Sequence, residues 1–152
     1  MRMVHDHIDI DASPERVWQV FTDFRSFPSW NPFIRKMKGE LLPGRRLRIT
    51  LRLGRRMLRF RPRVTVVRPA RELRWLARQR IPRLFDVERG FEFEPRGPSR
   101  TRFVQFEIGR GLMAPIVMPI MRRRIAKGYA ALNKALKARA EGTGGMVGGK
   151  VQ

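Results

Sequence analysis

Two histidines and two aspartates alternate near the N-terminus, in a pattern that can bind a divalent metal. Successive side chains of a strand point to opposite faces, so His5, His7, Asp9 and Asp11 would share one face. Imidazole and carboxylate groups are common zinc ligands. The chain holds only these 2 histidines and no cysteine, which leaves few further ligands of the kind that zinc prefers. We therefore interpret this face as solvated and predict neither a metal site nor a cofactor.

Carboxylates in a later segment form pairs of the kind that acid–base catalysis uses. Asp86 and Glu88, and then Glu92 and Glu94, are spaced two residues apart. This spacing puts each pair on the polar side of an alternating strand, where solvation is the ordinary state. No nucleophile stands beside a general base, and the lack of cysteine excludes thiol nucleophiles and disulfides. These motifs do not predict an enzyme, and the question of catalysis stays open.

Basic side chains dominate the charge of the sequence. The chain carries 34 Lys+Arg against 13 Asp+Glu, a formal net charge of +21. Such a charge attracts nucleic acid, anionic lipid headgroups or acidic proteins through a long-range field. The alternative is that the arginine-rich composition reflects biased codon usage. The predicted anion-binding residues are Arg48, Arg52, Arg59, Arg61, Arg63, Arg122, Arg123 and Arg124.

These arginines fall into two groups with different neighbours. Arginine alternates with apolar side chains at residues 46–53 and again at 58–66, which predicts two strands joined by a turn at 54–56. The arginines form the wet face of this hairpin. That face has few aromatic residues for base stacking, so any nucleic-acid binding would be non-specific. Residues 122–124 follow an apolar run, 112–121, and this order suits contact with an anionic membrane. The alternative is that the run enters a helix and closes a cavity.

The elements that carry these residues follow from the spacing of apolar side chains. Alternation predicts about seven antiparallel strands, six of them consecutive, and Ser13 with Pro14 predicts the first of two short helices after the first strand. A long amphipathic helix near the C-terminus is predicted to end at Gly142. Without crossover helices, this order predicts an α+β fold with the long helix across the sheet. The apolar stripe of that helix consists of Ile125, Tyr129, Leu132 and Leu136.

The length and composition predict one domain. With 152 residues, 42% of them hydrophobic, the chain can bury a sizeable core. We assign residues 1–141 to this domain and residues 142–152 to a Gly-rich disordered tail. The N-terminus lacks the apolar core of a signal peptide, and the apolar run 112–121 is shorter than a membrane span. We therefore expect a soluble, cytoplasmic protein.

Several short segments follow the pattern of one protein family. These segments are 13–18, 21–24, 27–33, 72–75 and 101–103. In them the sequence resembles the polyketide cyclase/dehydrase and lipid-transport families of the START-like, or SRPBCC, superfamily. The resemblance implies a helix-grip fold, in which a curved, seven-stranded antiparallel sheet wraps around the C-terminal helix. It also implies a hydrophobic cavity between sheet and helix.

Within such a fold, the aromatic-rich inner face can line a pocket for an apolar ligand. The alternative is a packed core without a ligand. The polar candidates depend on the strand at 101–108, where either Phe103, Gln105 and Glu107 or the intervening residues face inward. The predicted ligand-binding residues are Trp30, Asn31, Phe60, Trp75, Phe91, Phe93, Gln105, Glu107, Met118, Met121 and Tyr129.

Three functions are compatible with the sequence. The leading hypothesis is binding or transport of a hydrophobic or amphipathic small molecule, such as a lipid or a polyketide-like compound. The second is binding to an anionic surface, membrane or nucleic acid, through the arginine-rich outer face. The third is a cyclase or dehydratase activity, which some members of the family have.

Overall fold

The secondary structure follows the predicted order along the chain. A computed structural model describes residues 4–78 and 83–146. Strand β1 precedes three short helical segments, seven further strands follow, and a long helix comes last. The elements are β1 (Val4–Ile10), α1 (Pro14–Thr22), a 3-10 turn (Phe24–Ser26), α2 (Phe27–Trp30), β2 (Ile34–Lys38), β3 (Arg48–Leu53), β4 (Arg56–Phe60), β5 (Arg63–Arg68), β6 (Glu72–Arg78), β7 (Asp86–Pro95), β8 (Thr101–Arg110) and α3 (Ala114–Met146).

The strands form two antiparallel sheets. The large sheet has the order β1-β8-β7-β6-β5, and the small sheet has the order β2-β3-β4. Helix α3 contacts β1 and β8 of the large sheet and β3 of the small one, so it lies between them. This arrangement confirms the predicted α+β class, with a curved antiparallel sheet packed around the C-terminal helix.

The described residues form eight strands, where the sequence predicted seven. The segment 58–66 was predicted as one strand, but it is divided between β4 and β5, which belong to different sheets. Pro62 lies between these strands and has no amide hydrogen for a ladder. Its carbonyl accepts a hydrogen bond from the Leu47 amide at 2.9 Å, and an isolated bridge joins Arg46 to Arg63. The chain therefore changes sheet at Pro62.

Helix α1 begins where the sequence predicts. The Ser13 hydroxyl oxygen accepts a hydrogen bond from the Arg16 amide at 3.1 Å, which satisfies one of the free amides of the first turn. Pro14 occupies the first position of the helix. The helix buries Val17, Val20 and Phe21 against the large sheet. Phe21 contacts four other aromatic rings, which are those of Phe27, Phe91, Phe93 and Phe103.

Helix α3 buries the predicted stripe, and all four of its residues belong to the hydrophobic core. Gly128 lies where the helix approaches Phe33, and a Cβ atom there would come within 2.3 Å of the Phe33 ring. The helix does not end at Gly142, as the sequence predicted, but continues to Met146. The rest of the predicted tail, 147–152, lies outside the described residues. Within the described chain, no helix combines the length and apolarity that a membrane crossing requires.

Candidate functional site

A cavity of about 280 Å³ lies between the two sheets and the first half of α3. Its lining is mostly aliphatic and aromatic. Leu58 and Arg59 on β4 are exposed, so the cavity meets solvent beside this strand. The lining residues are Phe33, Leu51, Leu53, Leu58, Arg59, Phe60, Trp75, Ala77, Phe85, Val87, Arg89, Glu107, Met118, Met121 and Ile125.

Two buried, ionisable side chains form part of the otherwise apolar cavity lining. Arg89 on β7 is 2% exposed and Glu107 on β8 is 7% exposed. They are direct partners in the antiparallel register of these strands, so both side chains leave the sheet on the same face. The cavity therefore has an apolar part and one polar end.

Arg89 is held by aromatic rings and by one amide. Its guanidinium carbon lies 4.8 Å from the ring centre of Phe33, 4.9 Å from that of Phe91 and 4.6 Å from that of Tyr129. One terminal nitrogen, Nη2, donates to the side-chain oxygen of Gln105 at 2.8 Å. The Nε and Nη1 atoms are buried and have no hydrogen-bond partner among the described residues. Most of the donor capacity of this guanidinium is therefore unused.

Gln105 connects this polar end to helix α3. Its amide nitrogen donates to the backbone oxygen of Tyr129 at 3.1 Å and to the side-chain oxygen of Asn133 at 2.7 Å. Its oxygen accepts from Arg89, so all of Gln105's polar atoms are engaged within the protein. Gln105 thus orients Arg89 and is not free to bind a ligand itself.

Burial controls the protonation of the two acidic groups at this end. Burial raises the pKa of Glu107, and the attraction of Arg89 and the contact with Tyr129 lower it by less. Burial also raises the pKa of Tyr129 well above its usual value; Arg89 opposes this shift and Glu107 adds to it. The buried hydroxyl group of Tyr129 lies near Glu107 without forming a well-aligned hydrogen bond in the described part of the chain. The site can therefore offer the Arg89 guanidinium to an oxygen-containing group, and the Tyr129 hydroxyl lies behind the lining.

The structure brings five of the eleven predicted ligand-binding residues to the cavity. These are Phe60, Trp75, Glu107, Met118 and Met121. Phe91, Gln105 and Tyr129 lie behind the lining and contact Arg89. For the strand at 101–108, the face that carries Phe103, Gln105 and Glu107 points inward.

The other three predicted residues lie elsewhere, and their assignment to the pocket is corrected. Phe93 packs against Trp18, Phe21 and Phe103 in the core. Trp30 is half-buried and donates from its indole nitrogen to Ser26 at 2.8 Å. The side-chain oxygen of Asn31 accepts hydrogen bonds from the Phe33 and Ile34 amides at 3.0 and 2.8 Å. Asn31 therefore holds the turn into β2, because its acceptor oxygen is taken up by the backbone.

Arg89 was not among the predicted ligand-binding residues. Its position was available from alternation, because Val87, Arg89 and Phe91 share one side of β7. A charged residue on the apolar side of a strand is the pattern that would have identified it. Asp86 and Glu88, which the sequence suggested as a carboxylate pair, lie on the opposite side of this strand.

The predicted basic surface is present on the small sheet. Lys36, Lys38, Arg48, Arg59 and Arg61 line an open depression of about 530 Å³. Arg52 and Arg63 are exposed as well. Neither these seven side chains nor Arg122, Arg123 and Arg124 form an ion pair with a carboxylate of the described residues. Their charge is therefore free to act on an external anion.

Exposed apolar side chains lie just before α3 and in its first turns, ahead of the arginine triplet. Leu112 is 81% exposed, Ile116 is 55% exposed and Ile120 is 74% exposed. Met118 and Met121 in the same helical segment line the cavity. The apolar run 112–121 therefore enters the helix and covers the cavity, and it also presents an apolar edge to solvent.

Around the histidine pattern of β1, as elsewhere among the described residues, no cluster of three potential metal ligands occurs. Asp9 is engaged by Arg102, whose Nε donates to one carboxylate oxygen at 2.9 Å. That hydrogen bond keeps the pKa of Asp9 below its usual value.

Comparison with known proteins agrees with this architecture. The chain is similar over 93% of its length to a START superfamily protein from Mycobacterium smegmatis, with 25% identity and a TM-score of 0.70, covering 99% of that chain. It is also similar in structure to the Zhui aromatase/cyclase from Streptomyces sp. R1128, with a TM-score of 0.72, 17% identity, and coverage of 96% of this chain and 97% of that one. No curated protein matches the chain.

The family comparison covers almost the whole chain. The model for polyketide cyclase/dehydrase and lipid transport proteins matches residues 1–141. The neighbours share the START-like architecture of a sheet that grips a C-terminal helix, as the sequence predicted. The chain belongs to the family of polyketide cyclase/dehydrase and lipid transport proteins.

Proposed function

We propose that the protein binds a hydrophobic or amphipathic small molecule in the cavity between the sheets and α3. The observation that carries this proposal is the apolar volume of about 280 Å³ next to buried Trp75. Protein interiors are close-packed, and a space of this size is much larger than ordinary packing defects. An apolar ligand that fills it would gain about 25 cal/mol for each Å² removed from water, before the costs of association.

The cavity favours a small ligand. Its volume lies at the lower end of the roughly 300–1,000 Å³ of typical small-molecule sites. One ring system or one medium-length chain suits that space better than a lipid with two acyl chains. A small polyketide-like aromatic compound and a single-chain amphiphile both belong to this class.

Extraction of the purified protein tests the proposal. Protein purified at high salt is extracted with organic solvent and analysed by mass spectrometry, and we expect one apolar compound in stoichiometric amount. Ala77→Phe puts a ring into the cavity lining and should remove the compound. Ala126→Phe makes the same change at an exposed position of α3 and is the matched control.

The same two variants also test binding directly. Titration of the protein with 1-naphthol, followed by tryptophan fluorescence, should show saturable binding to wild type and to Ala126→Phe, and little binding to Ala77→Phe. An empty extract together with no response to the titration would contradict the proposal. Equal binding by both variants would place the ligand outside the cavity.

Contact with an anionic membrane is a second candidate, because the unpaired basic residues adjoin an apolar edge. Exposed Leu112, Ile116 and Ile120 precede Arg122–Arg124 on α3. Aliphatic side chains that insert at a membrane interface, together with cations that contact lipid headgroups, are typical of peripheral membrane proteins. Binding to nucleic acid would need the cations but not the exposed apolar side chains beside them. These side chains therefore favour a membrane over nucleic acid as the partner.

Vesicle sedimentation separates this candidate from cavity binding. The protein should bind vesicles of anionic phosphatidylglycerol at low salt and should not bind phosphatidylcholine. Replacing Arg122, Arg123 and Arg124 by Gln should weaken this binding far more than replacing Arg68, Arg96 and Arg100, which lowers the net charge equally. If both triple variants lose the same affinity, the contact depends on total charge alone.

A cyclase-type activity is a third candidate, and one group supports it. Glu107 lines the cavity. Burial raises the pKa of its carboxyl group, which favours the neutral, proton-donating form. Turnover of an aromatic polyketide by wild type but not by Glu107→Gln, with 1-naphthol binding unchanged, would support catalysis.

A further inference from the structure

We infer that the ligand of this cavity carries a singly charged acidic oxygen group, such as a carboxylate, and that Arg89 binds this group. The inference rests on the proposed function and assigns a chemical class to its ligand. The apolar part of the ligand would fill the space beside Trp75, and its acidic end would lie against β7 and β8.

Unused hydrogen-bond donors are the first argument. A guanidinium has five N–H groups, and buried polar groups in proteins are almost always satisfied. Gln105 accepts from Nη2, but the buried Nε and Nη1 atoms have no partner in residues 4–78 and 83–146. A carboxylate accepts two parallel hydrogen bonds from a guanidinium, and this is the strongest geometry for such a pair. Here the second N–H of Nη2, together with that of Nε or Nη1, can supply them.

Uncompensated charge is the second argument. Arg89 forms no ion pair with a carboxylate of the described residues. Glu107 is near, but its burial favours the neutral form of the carboxyl group. The rings of Phe33, Phe91 and Tyr129 attract the cation more weakly than an anion would. An anionic ligand would therefore supply the counter-charge that this interior lacks.

The surroundings also limit the kind of anion. A phosphate group would bring up to two negative charges to one cation, next to the carboxyl group of Glu107. A monoanion gives a balanced pair with Arg89 and brings only one negative charge beside Glu107. The remaining lining is apolar except for Arg59 at the solvent side, so the acid group belongs on a hydrophobic body.

Paired probes that differ only in the acid group test this inference. We would titrate wild-type protein with decanoate and 1-decanol, and with 1-naphthoate and 1-naphthalenemethanol, by calorimetry at fixed salt. The acid of at least one pair should bind about 10-fold or more tightly than its alcohol, since hydrogen bonds to charged groups are roughly twice as strong as neutral ones.

Variants locate the origin of this preference. Arg89→Met keeps an unbranched side chain among the aromatic rings and should reduce the acid-to-alcohol preference to about 1, with alcohol binding retained. Arg89→Lys keeps the charge and should retain part of the preference. Arg52→Met removes an equal charge from the exposed face of β3 and should keep the full preference. Near-UV circular dichroism checks that each variant is folded.

The outcomes separate this inference from the function on which it rests. If wild type binds each acid and its alcohol equally, or if folded Arg89→Met keeps the preference, the inference is wrong and cavity binding stands. If Arg52→Met loses the preference as fully as Arg89→Met, the preference comes from the overall field, and the inference is also wrong. If wild type binds none of the four probes, the inference is wrong, and the extract and the 1-naphthol titration decide separately whether the proposed function stands.

Discussion

At the residue scale, the main feature of the site is a buried cation, Arg89, at the end of an apolar cavity. Moving a charge out of water has an effective cost of several kcal/mol, and a structure tolerates this only where other groups offset it. Around Arg89, three aromatic rings and the Gln105 oxygen offer partial compensation. Burial of the Arg89 guanidinium therefore lowers the stability of the fold at the place where a polar ligand group would bind.

The same burial predicts how stability depends on the protonation of Glu107. Its folded-state pKa lies above the usual value of 4.5, so the folded chain holds this proton more tightly than the unfolded chain. The resulting stabilisation is full below the unfolded pKa and is lost as pH rises through the folded pKa. Glu107→Gln lacks this titration. Its free energy of unfolding relative to wild type should therefore increase with pH across that window, as measured by urea denaturation.

Glu141 is the matched control for this titration, since its shift has the opposite sign. Burial works against the charged form, but the Asp11 amide and the Lys137 ammonium keep the pKa of Glu141 below its usual value. Stability from Glu141 is present above the unfolded pKa and is lost as pH falls through the folded one. The relative stability of Glu141→Gln should therefore decrease as pH rises. A flat profile for Glu107→Gln would show that its carboxyl group is not perturbed by burial.

At the scale of elements, the β7–β8 pair positions the polar end of the cavity. Arg89 and Glu107 come from adjacent strands in register, and Gly90 follows Arg89 directly. On the outer face, the Phe106 ring lies across Gly90, and the Arg74 guanidinium covers it at 4.9 Å. Because Gly90 has no side chain, the Phe106 ring can pack directly against the outer face of β7, next to Arg89.

Substitution of Gly90 tests this packing. A Cβ atom at Gly90 would come within 2.1 Å of Phe106, a ring that is fully buried. Because the ring has no space to move into, Gly90→Ala should lower the free energy of unfolding by about 1–3 kcal/mol. At Gly142, nothing lies within 4 Å of the added atom, so Gly142→Ala should cause no loss. Urea denaturation compares the two, and equal stabilities would show that Phe106 moves without cost.

At the scale of the whole molecule, the net charge of +21 acts on every function proposed above. A charge of this size favours anionic surfaces and also destabilises the compact state through self-repulsion. Many of the cations on the small sheet have no ion pair in the described structure, so little of this repulsion is cancelled locally.

Salt should therefore stabilise the fold. Raising NaCl from about 0.01 to about 0.15 M shortens the screening length from about 30 to about 8 Å. The urea midpoint should rise, and binding of the uncharged probe 1-decanol should change little. A variant with Arg48, Arg52 and Arg61 replaced by Gln should be more stable than wild type at low salt and should respond less to added salt. A midpoint that falls with salt would contradict this explanation.

The sequence by itself determined the class of fold and the order of the elements. Alternation in the strands, the Ser13-Pro14 helix start and the spacing of Ile125 to Leu136 are local patterns, and each reports which side of one element is apolar. Such information suffices for an α+β chain with a long covering helix. Short segments such as 13–18 were enough to indicate the family.

Tertiary structure alone decided what lies at the end of the cavity. Both faces of β8 are largely buried, because Val104 and Phe106 are covered as well as Gln105 and Glu107, so alternation could not show which face points inward. The change of sheet at Pro62 and the turn made by Asn31 depend on backbone partners elsewhere in the chain. Whether a strand residue such as Arg89 meets solvent or a closed interior depends on what packs across from it, and this is a property of the assembled fold.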